Sequence, residues 1–272
     1  MVQVTFEELT YYKDWFTKYV NSFSCEDEVL QQNINIKKVH TYNVCKAIID
    51  IGKSINLTQN DLYLAELIAL FHDIGRFEQY ARYRTFVDGK SENHAILGIN
   101  VLREKDVLSN LKNSTADFIL RCILYHNKLD LPKKESDKCL LFTKLIRDAD
   151  KSDIFRVVTE YYSRSNKEKN PAIELDLPDN DEVSEKVLND LMHGRMAKLE
   201  DLKVLNDFKL LQIGWVFDIN FIRTYKIINE NKYLEIIFNY LPKNDKIKEL
   251  HTKINEFIAL QFENKDNNFV VS

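Results

Sequence analysis

The sequence predicts an all-α fold, and three observations carry that prediction. Six Gly and four Pro among 272 residues leave few turn formers and helix breakers. Apolar residues recur with the helical period along most of the chain, and no internal repeat interrupts them. A hydrophobic share of 44% and a charged share of 29% are those of a soluble globular protein with chain enough for a sizeable core.

Residues 5–24 read as a first helix and 27–54 as a long second one that carries His40. Thr58 followed by Asp61 resembles an N-terminal cap for a helix running through 72, and Gly75 is placed to let the chain turn afterwards. The stretch 76–90, RFEQYARYRTFVDGK, is polar and aromatic without clean periodicity, which suits a loop or a short helix. Further helices are expected at 92–105, 114–126, 137–164, 181–193, 206–230, 233–240 and 244–262. Between 164 and 182, charge, two prolines and lost periodicity mark a connection. The expected organisation is a helical domain over 1–165 and a helical extension over 166–272 packed on it, with a flexible tail from about 263.

A formal charge of -4 and a pI near 5.9 offer no global attraction to duplex nucleic acid or to an anionic membrane. No apolar run approaches the ~18 residues of a membrane span, and the start, MVQVTFEELT, does not read as a signal peptide. Cys25, Cys45, Cys122 and Cys139 form no CxxC pair and sit in apolar stretches, the pattern of reduced, buried thiols in a cytoplasmic protein. Oligomeric state is not legible in the sequence.

Four of the six histidines fall in one stretch together with acids: His40, the dyad His72-Asp73, His94, His126 and then Asp150. On helical wheels His40 shares a stripe with Ile36, Val44, Ala47 and Ile51, and His72 with Ala65, Ile68 and Ala69. His94 aligns with Leu97, Gly98 and Val101, and His126 with Ile119, Cys122 and Ile123. All four imidazoles are therefore expected to face the core. One inward histidine is commonly a core residue bonded to a carbonyl, but four from successive helices, one followed by an aspartate, point to metal ligation. In LIRDADKSD the wheel sets Asp148 with Lys144, Arg147 and Lys151 on a polar face, as a surface ion pair. Asp150 and Asp153 lie beside Ile146 and Val157, and an acid on an apolar face needs a partner such as a cation. Asp150 is the expected ligand, and Asp153 a candidate supporting residue behind it.

The ordered pattern H, HD, H, H, D, with LIALFHDIGRF around the dyad and LIRDADKSD around the last acid, resembles the HD-domain superfamily of metal-dependent phosphohydrolases over roughly residues 36–158. The resemblance implies an all-helical bundle in which His40, His72, Asp73 and Asp150 hold a first metal. In two-metal members the dyad aspartate bridges and two further histidines complete a second site, here His94 and His126. The class that opens cyclic dinucleotides is disfavoured, because Arg76 takes the place of its lysine and YHNKLDLP lacks a second histidine and a GYP signature. The alarmone-hydrolase and triphosphohydrolase signatures are incomplete too: RFEQ supplies only Glu78 after the dyad, with no glycine and histidine-rich run.

Such a centre suits hydrolysis of a phosphoester or phosphoanhydride in a small phosphorylated substrate, of which a nucleotide is one candidate. One or two divalent transition metals are implied; Fe, Mn, Zn, Co and Ni all accept imidazole with carboxylate. Two cations about 3.5 to 4 Å apart activate water and neutralise phosphate oxygens. Asp73, Arg76 and Lys151 are the candidate catalytic residues, and Arg76, Arg82, Arg84 and Lys128 the candidate substrate-binding cations. Phe77, Tyr80, Tyr83 and Phe86 offer either a stacking surface for a base or an aromatic anchor for the loop. Two other classes share the resemblance: a diiron oxygenase acting on an inositol or a phosphonate, and a metal-stabilised binding module without turnover. In the C-terminal part Trp215, Phe217 and Phe221 read as core, and His193 and Arg195 are not assigned to the site.

Overall fold

The computed structural model describes residues 2–164 and 170–266. Among them the chain is helical without a strand, as the sequence predicts. It divides into two compact units, Met1–Asp153 and Ile154–Ser272, so the division falls inside a helix ahead of the 164–182 connection. Residues 165–169 of that connection and 267–272 of the expected flexible tail lie outside the described residues. No helix among the described residues is long and apolar enough to cross a membrane.

The first unit is built from α1 (Phe6–Asn21), α2 (Glu28–Ser54), α3 (Gln59–Phe71), α4 (Gly75–Tyr83), α5 (His94–Glu104), α6 (Asn113–His126) and the first half of α7 (Asp137–Tyr162). Its helix starts are written locally. Thr5 and Glu8 form a reciprocal capping box, with Glu8 N donating to Thr5 Oγ1 at 3.2 Å and Thr5 N to Glu8 Oε2 at 2.8 Å. Asp27 caps α2 by accepting from Leu30 N, Thr58 caps α3 by accepting from Asp61 N, and Asn93 caps α5. The core joins Phe16 and Phe77 edge to face at 5.8 Å, Tyr12 with Phe71 at the same separation, and Phe118 of α6 with Phe142 of α7 at 5.5 Å.

Residues 76–83 of the stretch expected as a loop or short helix are the body of α4, followed by a single 3-10 turn at Asp88–Lys90. Gly75 does not supply a left-handed turn, because its φ is not positive. Its role is steric: a Cβ there would meet His94 O at 2.2 Å and Gly98 N at 2.5 Å. Gly75 and Gly98 thus let α4 and α5 touch backbone to backbone, which brings His94 beside the dyad. Phe77 and Tyr80 are buried in the core, Phe86 lies against Tyr80 at 4.7 Å, and Tyr83 is exposed. The aromatic cluster is therefore chiefly an anchor. Of the cysteines, Cys45, Cys122 and Cys139 are buried free thiols, whereas Cys25 is exposed at the polar turn before α2.

The second unit contains the rest of α7, then α8 (Pro171–Glu174), α9 (Glu185–Met192), α10 (Leu205–Gly214), α11 (Ile222–Glu230), α12 (Tyr233–Asn239) and α13 (Asp245–Asp266). Its own core includes Val187, Leu210, Ile213, Ile237 and Leu250, with Trp215 and Phe217 partly buried against it. Two expectations need correction. Helix α9 begins at Glu185 and not near 181, because the Asp207 carboxylate takes both Ser184 N and Ser184 Oγ at 2.7 Å and fixes the start from outside. The helix expected over 206–230 is broken after Gly214 by a 3-10 turn, Trp215–Asp218, and an extended Phe221. There Asn220 Nδ2 donates to Asp218 O and Tyr225 OH to Val216 O, local bonds that compete with a continuous helix.

Candidate metal centre

The six expected ligands come from four helices of the first unit and from the break between two others. His40 sits mid-way along α2, His72 and Asp73 in the tight break between α3 and α4, His94 at the start of α5, His126 at the end of α6, and Asp150 in α7. The four histidines and Asp73 are all buried, as the wheels predict. Two groups of three donor atoms gather, each within 4.8 Å: His40, His72 and Asp150, and Asp73, His94 and His126.

Asp73 faces both groups. Its Oδ2 lies 3.6 Å from His40 Nε2 and 3.7 Å from His72 Nε2, while its Oδ1 lies 3.4 Å from His94 Nε2 and 3.9 Å from His126 Nε2. Asp150 Oδ1 completes the first group at 3.0 Å from His40 Nε2 and 3.6 Å from His72 Nε2.

The other ring nitrogen of every imidazole is already committed. His72 Nδ1 donates to Ala69 O at 2.7 Å and His126 Nδ1 to Ile123 O at 2.6 Å; a carbonyl only accepts, so both rings carry their proton on Nδ1. His40 Nδ1 donates to Asp153 Oδ2 at 2.8 Å and His94 Nδ1 to Asp88 Oδ2 at 2.7 Å. With Nδ1 committed as the donor, each ring turns its Nε2 inward. Nε2 of His40 and of His72 is buried with no hydrogen-bond partner, and the Nε2 atoms of His94 and His126 face each other at 3.1 Å. Buried lone pairs aimed at one another and at carboxylate oxygens are unfavourable unless a cation lies among them. Imidazole backed by carboxylate or carbonyl is also the usual arrangement around a bound metal. The donor set fits divalent cations.

Electrostatics hold the acids ionised and two of the rings neutral. Burial alone would raise Asp73, but Lys37, His72, Arg76 and His94 keep it well below the usual carboxylate range. Asp150 is likewise held well below, burial being outweighed by His40 and His72. Burial, then repulsion from His94 and His72, pushes His126 down to about 3, and burial with Arg76 lowers His94. Burial and Lys37 pull His40 down, yet Asp150 and Asp153 outweigh them and raise it. The sign of the His126 effect sets a pH expectation. Its unfolded value is near 6.5 and its folded value near 3, so below 6.5 the unfolded chain takes a proton that the metal-free folded chain refuses. Its contribution to stability is complete above 6.5 and is lost as pH falls towards 3. Urea melts of chelator-treated protein should show the midpoint falling across that window, less steeply in His126→Gln.

The expected cations are placed unequally. Arg76 is largely buried and does not stand at the rim, because Nη1 donates to Gln79 Oε1 at 2.7 Å, Phe86 O at 2.5 Å and Asp88 Oδ1 at 2.9 Å; its Nε lies 3.6 Å from Asp73 Oδ1. Arg82 pairs with Glu78 on α4 at 3.0 Å and Arg84 with Asp27 at 2.8 Å, both half-exposed and turned to those acids. Lys128 is exposed with Nζ 5.0 Å from the centre of the Tyr125 ring, and Lys151 is half-buried beside Asp150. Asp148 is not on the surface. It is fully buried, and its neighbour Arg147 is buried too, capping α6 by donating to His126 O and Lys128 O. On that face of α7 the end of α6 takes up Arg147, while Lys144 stays exposed.

Two residues behind the ligands escaped the sequence. Asp88, in the 3-10 turn, backs His94, accepts from Arg76 and Gln79, and is held at about 2: burial raises it, but His94 and Arg76 prevail. Lys37, one helical turn before His40, donates to Asp73 Oδ2 at 2.8 Å. The spacing of three residues to His40 was the available signal for Lys37; Asp88, in an aperiodic loop, left none. Asp88→Ala should weaken metal binding at the Asp73, His94 and His126 group by about 10- to 100-fold, the range for lost outer partners. Metal titration should show the other group unaffected.

Residues 39–154 match the family described as HD domain. No curated protein and no solved structure matches the chain. The matched segment begins one residue before His40 and ends one after Asp153, so it encloses both donor groups and the two carboxylates that back them. The helical segment 39–154, which carries the clustered histidines and aspartates, is therefore an HD domain by its match to that family.

Proposed function

We propose that this protein is a metal-dependent phosphohydrolase that cleaves a phosphoester or phosphoanhydride bond of a nucleotide or other small phosphorylated substrate. The observation that carries the reading is Asp73, whose two carboxylate oxygens face two separate groups of inward Nε2 atoms. His40, His72, Asp73 and Asp150 would hold one divalent cation, and Asp73, His94 and His126 a second. Bound there, divalent cations lower the pKa of water and neutralise the oxygens of a phosphoryl group.

The chain's own residues do the rest. Asp153 and Asp88 hold the protons of His40 and His94 on Nδ1, and the carbonyls of Ala69 and Ile123 do the same for His72 and His126. Arg76, pinned by Asp88 and the Phe86 carbonyl, keeps a fixed positive charge beside Asp73. Lys151, next to Asp150, and Lys128, at the end of α6, are candidate contacts for the substrate's anion. Arg82 and Arg84 already have acidic partners on the surface, which argues against a direct part in binding.

The test is anaerobic purification with elemental analysis, followed by a substrate panel scored for both phosphate release and oxygen uptake. Phosphate release that disappears in His72→Ala supports the proposal. Oxygen consumption at a two-iron centre would replace it with the oxygenase reading, and a metal-free protein indifferent to His72→Ala would remove both.

A further inference from the structure

The basic residues near the dyad differ in one respect that bears on substrate capture, namely what already occupies their donors. Arg76 is pinned by three acceptors, while Arg82 and Arg84 are tied to Glu78 and Asp27. Lys37 is not fixed in that way. Its side chain is 16% exposed, its ammonium rests 5.3 Å from the centre of the Phe86 ring, and Asp73 Oδ2 accepts its bond at 2.8 Å. That oxygen is the one facing His40 and His72, of the group proposed for the first cation. A cation there and the Lys37 ammonium would compete for the same carboxylate charge.

Like charges brought this close repel unless an anion joins them. Lys37 has a flexible stem and three donors, so it can leave Asp73 without unfolding α2, whereas a guanidinium held by three acceptors cannot. We propose that Lys37 is the phosphoryl-binding residue of the centre. It neutralises Asp73 before loading, and it turns to a phosphoryl oxygen once a cation engages that carboxylate. The inference rests on the metal-dependent reading above and deepens it. Lys37 makes anion and metal binding mutually dependent, since each relieves a charge the other leaves unpaired.

The experiment is equilibrium dialysis of manganese(II) with and without inorganic phosphate, on wild type, Lys37→Met, Lys37→Gln and Lys37→Arg, with circular dichroism to verify folding. Phosphate should tighten manganese binding to wild type by about fivefold or more, the lower end for coupled sites. Lys37→Met and Lys37→Gln should lose that enhancement while binding manganese alone at least as tightly as wild type, and Lys37→Arg should retain part of it. A neutral variant that keeps the phosphate effect overturns the proposal. So does one that binds manganese alone more weakly, which would make Lys37 a prop for Asp73, or failure of both neutral variants to fold. A wild-type protein that takes up manganese without any phosphate effect overturns Lys37 but leaves the metal centre standing. A wild type that takes up no manganese overturns both.

Discussion

Asp73→Ala is expected to reduce divalent-metal uptake at both donor groups together, whereas His94→Ala should affect one. Asp73 is the residue whose two oxygens divide between the groups, Oδ2 towards His40 and His72 and Oδ1 towards His94 and His126. Losing it also leaves Lys37 and Arg76 as buried or half-buried charges without their shared carboxylate. Outer partners of metal ligands are worth about 10- to 100-fold in affinity or activity, so a ligand common to both groups should cost more than the upper figure. Elemental analysis and phosphate release measured on the same preparation would check it. An Asp73→Ala protein that retains one full equivalent of metal and most of its turnover would show that the groups do not share this residue.

Gly75→Ala should have the largest effect on folding of any single methyl added to the first unit. Ala is a better helix former than Gly, by up to about 1 kcal/mol in a helix interior, so helix propensity alone predicts no loss at the first position of α4. The new Cβ would instead stand 2.2 Å from His94 O and 2.5 Å from Gly98 N, both backbone atoms that cannot swing aside. Separating α4 from α5 should cost about 3 kcal/mol, the upper range for overpacking, and should move His94 away from Asp73. Gly89→Ala is the control, because nothing lies within 4 Å of its added Cβ. Chemical denaturation should show a large loss for the first substitution and a change within about 0.5 kcal/mol for the second. Equal stabilities would mean that the two helices can part without penalty.

The contrast between these positions explains how much of the molecule the sequence discloses. Helices with their own caps, such as those started by Thr5, Asp27 and Thr58, are written in adjacent residues and are predicted within a few positions. The inward turn of His40, His72, His94 and His126 is legible for the same reason, since each wheel needs one helix only. What the wheels lack is the neighbour. Asp148 reads as a surface residue beside Lys144 and Arg147, yet it is buried, and Arg147 spends its donors on carbonyls at the end of α6. Lys37 gains its meaning only when the dyad, 36 positions on, is folded against it. The start of α9 depends on Asp207, which lies 23 residues beyond the serine it holds.

The four acids around the imidazoles have an electrical consequence. Asp73, Asp150, Asp88 and Asp153 line the centre, and Lys37 and Arg76 reach Asp73 directly. Without metal, carboxylates outnumber the cations that reach Asp73, an arrangement that does not favour an anion. Filling both donor groups with divalent ions would add four positive charges there and shift the balance towards an anion such as a phosphoryl group. Order of arrival would then follow the field: metals first, substrate second.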